Sequence, residues 1–189
     1  MRCSYAWVMV GEGTFRLGPD SGHLLVKTSR SGLGARAGHD LVIEAAEWTG
    51  TAVVGPDGSA RVHVEVNAGS LTIRDALGGL KPMTSSDRKM TEKNMVKVLQ
   101  PGKYPMITFV ADSTGQTGDA VTAPGALTLV GNTQPLTVSG TVSSSGRLRA
   151  SATVTQSRWG ITPFSAFFGA LRLADDVAVE VDAELVPAR

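Results

Sequence analysis

The sequence predicts an all-β protein: an antiparallel barrel or sandwich of about eight strands with one helical insertion. Three observations predict it. Apolar and polar residues alternate with a period of two through most of the chain. Clusters of Gly, Pro, Asp, Asn and Ser separate the alternating runs. One stretch alone, Thr84 to Pro105, carries helix start and stop signals.

The elements follow in order. Residues 1–13, "MRCSYAWVMVGEG", form an N-terminal extension ahead of a single domain, 14–189. Thr14–Leu17 and Leu24–Ser29 are strands flanking the turn "GPDSG". After the glycine-rich loop "SGLGARAGHD", Leu41–Val54 reads as one long strand, and "GPDGS" turns the chain back. In "ARVHVEVNA", Val62, Val64 and Val66 share one face, and Arg61, His63, Glu65 and Asn67 the other. "DALGGLKP" reads as a flexible loop in which Gly78 and Gly79 allow close approach of the backbone to a ligand.

The helix follows. Thr84 is placed as N-cap, and Asp87 favours the free N–H groups of the first turn. Met90, Met95, Val98 and Leu99 supply an apolar stripe, and "QPGKYP" stops the helix. Strands resume at Ile107–Ser113, Ala126–Val130 and Leu136–Ser143, with "TGQTGD", "GNTQP" and "SSSGR" as turns. "LRASATVT" alternates Leu148, Ala150, Ala152 and Val154 with polar residues. "DDVAVEVDAELV" closes the chain with Val177, Val179, Val181, Ala183 and Leu185 on one face. Small residues dominate these inward faces, so facing strands either pack normally or leave a cavity; a barrel of about eight strands is just wide enough to hold one small ligand.

Composition narrows the function. A chain of 189 residues with 42% hydrophobic content supports one substantial core. Lys and Arg number 18 against 17 Asp and Glu, with no basic run, which argues against a nucleic-acid partner. Cys3 is the only cysteine, so no internal disulfide forms. The apolar run Tyr5–Val10 is shorter than the roughly 7–15 residues of a secretory segment, and nothing approaches the ~18 residues of a membrane span. The expectation is a cytoplasmic protein without a membrane span, and the sequence leaves a homodimer open.

Motifs for chemistry are sparse. His23, His39 and His63 lack ligand spacing, so no metal site is expected. "G-x-S-x-G" is absent, and "GLGARAG" lacks the strand–loop–helix setting of a phosphate loop. No cofactor is expected. His39, beside a barrel rim with Arg36 nearby, is a candidate to hold a polar head group. "RWGITPFSAFFGALRL" gathers Trp159, Phe164, Phe167 and Phe168, which form either a gate over a pocket or a plug in a core; Arg158 and Arg172 flank them for an anionic head.

Several segments together resemble the YceI-like family. "PGKYPMITFVADS" is similar to its K-Y-P-x-I-T-F segment, and "GTFRLGPDSGHLLVKTSRSG" to its first hairpin. "ALTLVGNTQPLTVSGTV", "SRWGIT" and "DDVAVEVDAEL" resemble later family segments, in order, from about residue 14 to 186. The helical stretch "SDRKMTEKNMVKVLQ" departs from a family pattern richer in acidic and aromatic residues. The resemblance implies a lipocalin-like barrel that binds polyisoprenoids or other long-chain amphiphiles, in a carrier, storage or sequestration role. On that reading Phe109, Leu127 and Leu129 line the tail site with Trp159, Phe164, Phe167 and Phe168, and Arg36, His39 and Arg158 attend the head. Two alternatives stand beside it: a cyclase or isomerase using His39 as acid or base, and a protein-interaction module with a filled barrel.

Overall fold

The computed structural model describes residues 11–188; the run Tyr5–Val10, Cys3 and all but the end of the expected 1–13 extension lie outside them. The strands are β1 (Gly13–Leu17), β2 (Gly22–Lys27), β3 (Arg30–Ser31), β4 (Asp40–Ala45), β5 (Trp48–Val54), β6 (Ala60–Asn67) and β7 (Leu71–Leu77). Helix α1 (Ser85–Leu99) follows, then β8 (Met106–Ala111), β9 (Gly115–Thr117), β10 (Ala120–Leu129), β11 (Asn132–Val142) and β12 (Arg147–Thr155). The chain ends with β13 (Ser165–Ala166), β14 (Leu171–Leu173), β15 (Asp176–Glu184) and β16 (Val186–Pro187).

The fold is all-β, with antiparallel pairing and one α-helix, as expected. The expected count of about eight strands is corrected to sixteen among the described residues. Corners account for much of the difference. The run Leu41–Val54 is two strands, because the chain bends at Ala46–Glu47 and its halves join different neighbours: β4 pairs with β2 and β7, β5 with β1 and β6. The bend has no Gly or Pro to announce it. Instead Ala46 N–H donates to the Ser70 carbonyl at 3.2 Å, and Glu47 N–H to Ser70 Oγ at 3.0 Å, so the freed backbone groups find partners. Strand β7, which the alternation did not reveal, lies beyond the matching corner at Ala68–Ser70.

The main sheet runs β16-β1-β5-β6-β8-β10-β11-β12-β15-β2-β4-β7, with β9 against β10; a small second sheet is β13-β14-β3. The main sheet curls strongly into a half-barrel. Among the described residues no ladder joins β7 to β1, and the chain corners β1–β2, β4–β5 and β6–β7 carry the wall from one flank to the other. Another correction falls in "GNTQP". The turn is Val130–Gly131, both at positive φ (49° and 74°), with Leu129 opposite Asn132. This two-residue geometry suits a hairpin but strains a β-branched residue.

The outward face of β12, β15, β2 and β4 is charged. Arg147 and Arg149 bridge to Asp182, Lys27 to Glu180, and His23 and Arg74 to Glu44. Inside, one buried cluster joins Phe109, Leu127, Leu129, Val154, Trp159, Ile161 and Val177; a second, around the corners, joins Leu17, Leu24, Trp48, Val66 and Ala183.

The two buried tryptophans differ in their polar atom. Trp159 Nε1 donates to the Leu127 carbonyl at 2.9 Å, while Trp48 Nε1 is buried without a partner. Both indoles become smaller apolar rings on replacement by Phe. Only at 159 does this remove a hydrogen bond, worth about 0.5–1.5 kcal/mol. Trp159→Phe is therefore expected to lower stability by about that much more than Trp48→Phe. Denaturant titration of both variants checks it, and equal losses would contradict the assignment.

Candidate functional site: an apolar cavity with a polar rim

The predicted inward faces do not meet. They surround a cavity of about 810 Å³ that α1 covers at one end. Val62, Val64 and Val66 from β6 line it, with Leu148, Ala150, Ala152 and Val154 from β12 and Val177, Val179 and Val181 from β15. Valine and alanine project too little to fill a curled sheet of this width, so the space stays open. Phe109 from β8 and Leu127 and Leu129 from β10 add larger apolar surface.

Charge is confined to the α1 end. The charged residues lining the cavity are Arg30, Lys81 and Asp87, with His39 and the helix residues Thr91 and Asn94 beside them. Towards the β5–β6 hairpin the polar lining is neutral, Thr114 and Gln116. Asp87, Thr91, Asn94, Met95 and Val98 lie on one helical face, three or four residues apart, and that face looks into the cavity. No residue of α1 is buried. It covers the opening as a lid, resting on the core through the half-buried Met95 and Leu99 and tied to β7 by Arg88, which donates to the Ile73 carbonyl. Met90, expected in the apolar stripe, is exposed instead.

His39 explains the loop before the helix. Its Nε2 lies 2.9 Å from the Lys81 carbonyl, so the imidazole ties β4's entry to the loop that leads into α1. Arg30 donates to the Gly38 carbonyl, and its main-chain N–H donates to Asp40 Oδ1 at 2.8 Å. Gly78 and Gly79 wrap these two side chains. Both have positive φ (72° and 80°), and a Cβ would come within 2.2 Å of Arg30 and 2.5 Å of His39. The close approach expected of this Gly pair is thus made to the protein's own rim residues.

The lid starts on a capping box. Thr84 Oγ1 accepts from Asp87 N–H at 3.1 Å, and Asp87 Oδ2 accepts from Thr84 N–H at 3.0 Å. The Thr84 side-chain hydrogen bond, then its main-chain one, hold the Asp87 carboxyl below the ordinary carboxylate value; nearby His39 adds to the effect. A depressed folded pKa makes the cap's contribution fully present above the unfolded value near ~4, and it is lost as pH falls through the folded value. Amide exchange at residues 85–90 is expected to be steady from about pH 7 to 5, after correction for intrinsic rates, and to quicken at pH below ~4. Protection that persists in acid would show that the cap does not hold the lid.

The other sequence candidates separate. Phe164 lines the cavity and is partly exposed at its rim. Trp159 is buried in the wall cluster and does not line the cavity. Arg158 stands over the Trp159 ring, 5.5 Å from its centre, and borders a separate shallow depression with Pro124 and Pro135. Arg36 is exposed in the turn Ala35–Ala37, beside the lining residues Ala37 and Gly38. Phe168 is fully exposed, in a tight turn at φ 55° beside Gly169 at 87°, and the side chain of Phe167 lies outside the described residues. Of the three aromatics whose side chains are described, Phe164 alone lines the cavity. Sequence reasoning missed Arg30, Lys81, Thr91 and Asn94. The helical spacing of Thr91 and Asn94 with Met95 and Val98 was the available signal.

Among the described residues no cluster of His, Cys, Asp or Glu is suited to a metal ion, and no helix is long and apolar enough to cross a membrane. The model of the YceI-like domain matches residues 25–185. The fold is similar to the crystal structure of Burkholderia cenocepacia BcnA, with TM-score 0.60 and 14% identity, covering 84% of this chain and 94% of that one. It is also similar to the YceI protein of Campylobacter jejuni, with TM-score 0.54 and 11% identity, covering 78% and 84%. No curated protein matches the chain at a significant level.

Proposed function

The chain belongs to the YceI-like domain family, and from that premise we propose that it binds an isoprenoid-like or other long-chain amphiphile as a carrier, store or sequestering protein. The observation that carries this reading is the one-sided polarity of the cavity. An apolar interior of about 810 Å³ has its charged groups gathered at the lid end. A molecule with a hydrocarbon body and one polar head matches that division, and burying the body supplies the driving force.

The binding unit is the single domain 14–189. Phe109, Leu127 and Leu129 contact the tail, and Phe164 closes over it at the rim. His39, Arg30 and Lys81 attend the head, and Arg36, exposed beside the rim, attracts an anionic one. Trp159 and Arg158 serve the wall. No reaction is needed for this role.

Native mass spectrometry and solvent extraction of the purified protein test it. The expected result is an amphiphile released from the protein, and displacement of an environment-sensitive apolar dye by long-chain prenols or fatty acids. A protein that takes up no dye and carries no extractable molecule would overturn the reading.

A further inference from the structure

We propose that the outer face of α1 and the exposed apolar loop tips around the cavity opening form a docking surface for an anionic lipid bilayer. The outer face is opposite the one that lines the cavity. It carries Lys89, Lys93 and Lys97, one turn apart and all exposed, and among the described residues none of them is in a salt bridge. Between them stand Met90 and Val96, 63% and 53% exposed. Glu92 is the one acidic residue near this face, since Asp87 is engaged in the cap.

A row of exposed lysines without acidic partners is drawn to a surface of anionic head groups, and Met90 and Val96 flank Lys93 on the same side of the helix. The lysine stems reach outward to head groups while Met90 and Val96 meet the acyl boundary. Charge complementarity selects an anionic surface. Neighbouring loops add apolar tips. Leu80, 76% exposed, sits in the loop that His39 holds, and Phe168 and Leu33 are fully exposed in adjoining loops tied by the Gly34 N–H bond to the Ala170 carbonyl at 2.8 Å. The same helix that meets the bilayer therefore covers the cavity, so docking places the opening against the lipid.

Vesicle co-sedimentation of the full chain tests it, with phosphatidylcholine alone and with phosphatidylcholine containing phosphatidylglycerol. Binding is expected only with phosphatidylglycerol and should weaken as salt rises. Each lysine contributes about fivefold in partitioning. K89Q/K93Q/K97Q together should lower binding by roughly a hundredfold, and M90S/V96S should lower it as well. No binding to anionic vesicles, or binding unchanged in the lysine variant, would overturn the proposal. So would full binding by M90S/V96S, which would leave only a polycation attracted to any polyanion. Dye uptake into the cavity, measured on the same samples without vesicles, separates failure of docking from failure of the cavity reading.

Discussion

Replacing Ala150 and Ala152 together by phenylalanine is expected to abolish ligand uptake and leave the fold intact. Both face the cavity from β12, opposite Val181 and Val179 of β15. In a filled interior, extra methylenes force side chains off their rotamers and cost about 1–3 kcal/mol. Here the new rings enter space that is already open, and each gains burial of about 1.5–3 kcal/mol. The melting temperature should hold or rise, while affinity for a long-chain probe falls by more than about a hundredfold, since a few kcal/mol of tail contact is lost. Thr153→Phe on the exposed face of the same strand controls for bulk, and should bind normally. Dye titration and calorimetry on the variants decide it. Normal binding by A150F/A152F would place the ligand elsewhere, and a large fall in melting temperature would show a packed core.

Why these alanines were legible in the sequence has a simple physical basis. A strand presents alternate residues to one face, so "LRASATVT" and "DDVAVEVDAELV" declare their inward sets without reference to any partner. The lid was legible for a similar reason: Thr84 and Asp87 form a local cap, and Pro101 and Pro105 stop the helix locally. What failed was non-local. Nothing in "EAAEWTG" marks the corner at Ala46–Glu47, because Ser70, more than twenty residues away, supplies the hydrogen bonds that permit it. His39 gave no sign that its partner is the Lys81 carbonyl, 42 residues on. The aromatic loop has no periodicity, so Trp159 in the wall, Phe164 on the rim and Phe168 in solvent read alike until the β10 backbone claims the indole of Trp159.

The second large effect is in chain length. Affinity is expected to rise steeply with the tail and then stop. At about 0.3 kcal/mol per heavy atom, a five-carbon unit contributes roughly 1.5 kcal/mol, about tenfold in the dissociation constant. The rise continues only while new carbons find apolar wall. The cavity of about 810 Å³ is large for a drug-sized ligand but finite, so the curve flattens once the tail reaches the neutral Thr114–Gln116 end. Carbons beyond that point contact no new surface. The head acts separately at the other end, near His39, Lys81 and Arg30. Lys81→Gln should weaken binding of an anionic amphiphile by a constant factor at every tail length, shifting the curve without moving its plateau. A152F should do the reverse, lowering the plateau and bringing it to shorter tails, because it removes volume and leaves the head site alone. Titrating a prenyl or acyl series against wild type and both variants checks all three curves. Affinity indifferent to tail length would remove the tail from the cavity and leave His39 and the rim to act on the head group alone.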